Sequence, residues 1–324
     1  MQPWRYPALL SLVMVGCVVI SYAPKDQQFS FDFKVKGHSI FKNTTEEDAA
    51  LSPEEQRCIR RRFALLHRLG GKYQQVLADV EPLNLSNQFT SGALLCFHPK
   101  IATPPELDQF GALIFYHEAI HFLSSSGDLI RTHPPTEQPA GSAWNAFHEP
   151  FYRYYVAEAS PQHLFLPYLP ETLPMHTIYD HLKGQLYLAQ LERYFSAAND
   201  NNFYILLEEW NAYNAGFDLA VAFFDHGMAL CAPEQTSDIA NAAMEFAVYT
   251  ATYVEALHRQ SSDLFHTLLK DKTLREFLRF QLTKTQRLVA AGQPYPCLFN
   301  ALTPQLQPAV QEASRTLLEL IGEL

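Results

Sequence analysis

Charge is scarce in this chain of 324 residues: Asp, Glu, Lys and Arg make up 18% of it, below the quarter usual for soluble domains. Basic residues are the scarcer kind, with 24 Lys and Arg against 34 Asp and Glu and a formal net charge of −10. Nucleic-acid binding by phosphate neutralisation needs clustered cations. The only dense basic run is Arg57 with Arg60, Arg61 and Arg62, a single helix face, so no nucleic-acid partner is expected. The sequence has no internal repeat, no low-complexity block, no CxxC pair and no Cys/His spacing of a zinc knuckle. What it has in quantity is apolar and aromatic side chain, 48% and 13% of residues. That excludes intrinsic disorder and suffices for one large domain or two modest ones.

The start of the chain reads as an address label. Arg5 precedes the apolar run Ala8–Ile20, and Ser21-Tyr22-Ala23 closes it with small residues. The run is shorter than the roughly 20 residues of a bilayer span and has the layout of a secretory signal peptide over 1–23. Met14-Val15-Gly16-Cys17 also resembles a bacterial lipobox, which would leave Cys17 as a lipid anchor and the sole tie to a membrane. The expected localisation is secreted, periplasmic or attached to the envelope. Four further cysteines, Cys58, Cys96, Cys231 and Cys297, permit two disulfides in an exported chain, in three connectivities. Four free buried thiols are the alternative.

Beyond an extended arm over 24–50, where Phe29, Phe31 and Phe33 alternate, the expected organisation is a single domain over 51–324. The fold class is mainly α with a small β element. Ser52-Pro53-Glu54-Glu55 is a capping box that opens a helix, and Gly70-Gly71 closes it. Ala93–Phe97 reads as a short strand. Helical periodicity then covers 106–124, 143–158, 176–198, 202–226, 237–260, 262–283 and 304–322. Two proline-bearing irregular stretches, Ser124–Ser142 and Ala159–Met175, interrupt it, and segments of that length often serve as lids.

One motif concentrates the chemistry. His117-Glu118-Ala119-Ile120-His121 is HExxH. On a helix both imidazoles share a face and can reach one metal ion, with Glu118 beside them to take a proton from a metal-bound water. The stripe of Leu107, Phe110, Leu113 and Ile114 lies on the same side as the two histidines, so both project inward. Two adjacent imidazoles and a carboxylate in the interior cost several kcal/mol unless a cation or a complete hydrogen-bond network satisfies them.

A catalytic zinc takes three protein ligands and keeps the fourth position for water. Here the sequence resembles the HExxH zinc metallopeptidases whose third ligand is a glutamate on a later helix, the gluzincins, whose later helix often reads Glu-x-x-Ala and then Asp. Glu209-Trp210-Asn211-Ala212-Tyr213 fits that pattern except for Tyr213, which stands where Asp is commoner. The resemblance covers about ten residues. It implies a zincin-like helical domain, one Zn2+ per chain held by His117, His121 and Glu209, Glu118 as general base, and a peptide or protein substrate. Helix geometry separates Glu209 from its neighbour. Relative to the apolar side of Phe203, Leu207, Trp210, Phe217 and Val221, Glu209 falls on the flank, whereas Glu208 is expected to face solvent. The donor for the oxyanion has several candidates: Tyr249, Tyr253, His258, His133 and His148.

Two other classes compete. A di-iron carboxylate bundle would pair Glu118-x-x-His121 with Glu255-x-x-His258 and draw on Glu158, Glu192 or Glu209. It leaves His117 idle, and Glu255 falls opposite its helix's apolar stripe. A non-catalytic exported binding protein would use the aromatic segment Phe147–Tyr155 as a ligand groove.

Overall fold

The computed structural model describes residues 52–81, 105–126, 151–167, 173–182, 203–228, 233–300 and 302–322. The expected signal peptide, the arm, Cys17, the strand at Ala93–Phe97, and Cys96 and Cys231 lie outside them. In chain order the elements are α1 (Pro53–Leu69), α2 (Gly71–Val80), α3 (Pro105–Leu123), β1 (Ser125–Ser126), β2 (Phe151–Val156), β3 (Gln162–Pro167), α4 (His176–Leu182), α5 (Phe203–Asp225), α6 (Pro233–Gln260), α7 (Ser262–Leu269), α8 (Lys272–Gly292), a 3-10 turn (Pro296–Leu298) and α9 (Thr303–Gly322). The protein is mainly helical with a small antiparallel sheet in the order β1-β2-β3. No described helix is long and apolar enough to cross a membrane.

Local chemistry sets several of the boundaries. Ser52 Oγ accepts from the Glu55 backbone N–H, and Glu55 Oε2 accepts from the Ser52 N–H at 2.9 Å, so two orphan donors of α1 are satisfied reciprocally. Gly70 ends α1 at φ 66°, a left-handed conformation that costs glycine little. The helical pattern over 262–283 resolves into two helices, because Asp271 caps a new one by accepting from the Leu274 N–H at 2.7 Å.

The expected helix over 143–158 is corrected: Phe151–Val156 is the central strand β2, paired with β3 from Phe151↔Pro167 to Val156↔Gln162. Its Phe-Tyr-Arg-Tyr-Tyr-Val composition suits a pleated surface; Tyr152, Tyr154 and Val156 on one face are buried, and so is Tyr155 on the other. The irregular reading of Ala159–Met175 likewise misses β3. Cys58 in α1 and Cys297 in the 3-10 turn are both disulfide-bonded, so neither is a free thiol.

Helix α5 is the axis of the fold. It packs on α3, α6 and α8 and is buried on every side, from Phe203 and Tyr204 through the unbroken stretch Trp210–Phe217 to Phe223. Large apolar side chains buried this way contribute about 1.5–3 kcal/mol each. Its α8 side is polar, and fully paired. Gln281 Nε2 donates to Asn211 Oδ1 at 2.8 Å, Asn214 Nδ2 donates to Gln281 Oε1 at 2.7 Å, and Thr285 Oγ1 donates to Asn214 Oδ1 at 2.9 Å. Asn211 Nδ2 donates to the carbonyl of Tyr155 at 2.8 Å, which ties the helix to the sheet. One and two turns further on, Asp218 pairs with Lys72, and buried Lys284 sits 2.8 Å from Glu158. These directional bonds admit one rotation of α5 about its axis. That rotation presents the opposite face, with Glu208 and Glu209, to α3.

Candidate metal centre

Helices α3 and α5 run antiparallel. His121 lies beside Glu208, His117 beside Tyr213, and the Gln109 side chain donates to the carbonyl of Met228 beyond the end of α5. Gly216 of α5 lies where α6 also packs closely. A Cβ at Gly216 would stand 3.1 Å from Ile239 Cγ2 of α6 and 4.0 Å from His117 Cβ, so three helices converge on that glycine.

The two imidazoles project from successive turns of α3, with ring centroids 4.8 Å apart. His117 Nε2 and His121 Nε2 are 3.1 Å from each other; Glu209 Oε2 is 3.7 Å from the first and 3.5 Å from the second. The side chains are 12%, 14% and 16% exposed in that order. This is the one group of three or more His, Cys, Asp or Glu among the described residues whose ligand atoms lie close enough for a shared ion. Donors bound at about 2.0–2.1 Å in a tetrahedron stand about 3.3 Å apart. The triangle of 3.1, 3.5 and 3.7 Å therefore fits three corners of such a site.

Glu208 corrects an expectation. It does not face solvent: its Oε1 is 3.0 Å from His121 Nδ1, and its side chain is 18% exposed. The inference from an apolar stripe fails because α5 has no solvent side, so a position opposite the stripe meets another helix. The electrostatics of the cluster favour positive charge on His121. Burial disfavours the charged imidazole of His121, yet Glu209, followed by Glu208, outweighs it and holds the ring well above its ordinary pKa. A proton or a metal ion can answer that demand, and two aligned Nε2 atoms suit the metal.

The other candidate residues have partners of several kinds. Glu118 lies between the histidines on α3 and is partly exposed. Tyr213 lays its ring 4.4 Å from that of His117 and stacks on Phe246 at 5.2 Å. Tyr249 donates to the fully buried Glu245 at 2.6 Å, Tyr253 donates to the carbonyl of Leu173 at 3.1 Å, and His258 packs on Phe265. His133, His148 and Glu192 lie outside the described residues. Glu255 pairs with Arg259, and Glu158 pairs with Lys284. Neither carboxylate joins the cluster as a di-iron site would require. Tyr152, Tyr154 and Tyr155 of the aromatic segment are core residues. Sequence reasoning turned Glu208 toward solvent and passed over Gly216, for which the apolar pattern carries no signal.

No protein-family profile, curated protein or solved structure matches this chain.

Proposed function

We propose that the chain is an exported zinc-dependent hydrolase of zincin-like type, acting on peptide bonds in a peptide or protein substrate. One observation carries the reading: His117 Nε2, His121 Nε2 and Glu209 Oε2 form a triangle of tetrahedral dimensions in a mostly buried setting. Three nitrogen and oxygen donors with an open fourth position are the ligand set of a catalytic zinc. Zinc bound there would polarise the scissile carbonyl and bring the pKa of its water to about 7. His117 and His121 would offer imidazole donors one helical turn apart, the ion taking the place of the proton that the carboxylates favour on His121. Glu209 supplies the charge that offsets the dication. Glu118, the residue after the first ligand, accepts the proton from the attacking water and delivers it to the leaving amine. Export rests on the N-terminal apolar run together with the disulfides at Cys58 and Cys297, since disulfides persist in oxidising compartments.

The test separates metal from chemistry. Protein purified without chelator should contain one zinc per chain by elemental analysis. Glu118→Gln should keep that zinc and lose hydrolysis of a quenched fluorescent peptide library by at least about 100-fold, while His121→Ala should lose the zinc. A zinc-free wild type after metal supplementation, or a Glu118→Gln variant as active as wild type, refutes the assignment.

A further inference from the structure

The contacts of the His121 ring give Glu208 a task. The His117 ring lies between the Tyr213 ring at 4.4 Å and the His121 ring at 4.8 Å, with its Nε2 3.1 Å from His121 Nε2 and 3.7 Å from Glu209 Oε2. The His121 ring is held by its two nitrogens. Its Nε2 faces His117 Nε2 and Glu209 Oε2, and its Nδ1 faces Glu208 Oε1 at 3.0 Å. Consecutive residues of a helix point about 100° apart, so Glu208 and Glu209 reach opposite edges of one imidazole from neighbouring positions. An ionised carboxylate only accepts hydrogen bonds. Beside Nδ1 it would keep the proton on that nitrogen and leave the Nε2 lone pair for a metal ion.

We infer that Glu208 is the positioning residue of the metal centre, fixing the tautomer and ring orientation of His121 through Nδ1. This rests on the zinc reading above. It assigns to Glu208 a carboxylate role that Tyr213 cannot fill, since a phenol ring packed on His117 supplies no anionic acceptor to His121. Removing such a partner of a metal-binding histidine weakens the metal by about 10–100-fold.

The experiment measures zinc affinity by competition with a chromophoric chelator for wild type, Glu208→Gln, Glu208→Ala and Glu209→Ala. Long-range 1H–15N correlation spectra of the histidine rings are recorded on the zinc-loaded proteins. Wild type should bind one zinc. Glu208→Gln keeps a neutral acceptor and should bind about 10-fold more weakly, and Glu208→Ala about 100-fold more weakly. The His121 Nδ1 proton should be protected from exchange in wild type and Glu208→Gln and unprotected in Glu208→Ala. A merely structural role would not move that proton. Affinities of both Glu208 variants within twofold of wild type would overturn the inference and leave the zinc reading standing. Zinc retained by Glu209→Ala but abolished in Glu208→Ala would make Glu208 a ligand and overturn it as well. A wild type that binds no zinc overturns both. If Glu208→Ala fails to fold, the affinity and proton exchange of Glu208→Gln decide the matter alone.

Discussion

Replacing Gln281 by Leu tests whether the polar face of α5 holds the helix in its rotation. Gln281 is fully buried. Its amide donates to Asn211 Oδ1 at 2.8 Å and its carbonyl accepts from Asn214 Nδ2 at 2.7 Å. Leucine is close in volume but supplies neither bond. Asn211 Oδ1 then loses its partner in a site closed to water, which costs about 1–3 kcal/mol. Asn214 Nδ2 keeps a long contact of 3.3 Å to the Gln281 backbone carbonyl, so its loss is partial. Added apolar burial returns less than one large side chain's worth, because the space is already filled. The expected net destabilisation is about 2–4 kcal/mol. Urea unfolding of chelator-treated protein, followed by circular dichroism, should show a lower midpoint with an unchanged slope. Treatment with chelator keeps metal linkage out of the comparison. A loss below about 0.5 kcal/mol would refute the argument, since it would mean the amide bonds are replaceable by packing and do not fix the helix.

Three further outcomes are expected. His163 is held at a pKa of about 4 by burial and then by Arg153, against about 6.5 when free. The unfolded chain therefore takes up a proton that the folded one refuses, and stability falls as pH drops from about 6.5 to about 4; His163→Gln should flatten that part of the curve in unfolding experiments, and an unaltered curve would contradict the cause given. Gly216→Val should drive a branched side chain into Ile239 and His117, costing about 1–3 kcal/mol and weakening zinc binding in the chelator competition; affinity equal to wild type would show that the helices can separate at no expense to the site. Glu255→Ala removes a surface pair with Arg259 and should change stability by less than about 1 kcal/mol with zinc content unchanged; loss of metal would revive the two-iron reading.

The residues that meet at the centre were readable in different degrees. His117 and His121 were visible because the i, i+4 rule acts within one helix and needs no knowledge of the fold. Glu209 was reachable because it sits on the flank of an apolar pattern and within a motif. Glu208 was misread for a tertiary reason: the stripe method assumes that a helix has a wet side, and α5 has helices or sheet all round. Gly216 gave no sign, because a glycine's importance at a helix contact depends on which side chain faces it across the gap. The capping box at Ser52 and the helix ends at Gly70 and Gly71 were legible since capping is local chemistry. The strand Phe151–Val156 was not, because an aromatic run fits either period until its partner strand is known. The mainly helical class survives that error, as the sheet is a minor part of the structure.

All-round burial of α5 constrains how this protein can change. A helix with a free side can accumulate substitutions there without touching its neighbours, but on α5 most replacements alter a core contact, a buried amide bond or the cluster that Glu209 forms with His117 and His121. Sequence change that spares the packing must therefore fall on parts of the chain other than this helix. A mutational library built on this fold should leave Phe203–Asp225 untouched and place its diversity elsewhere in the chain.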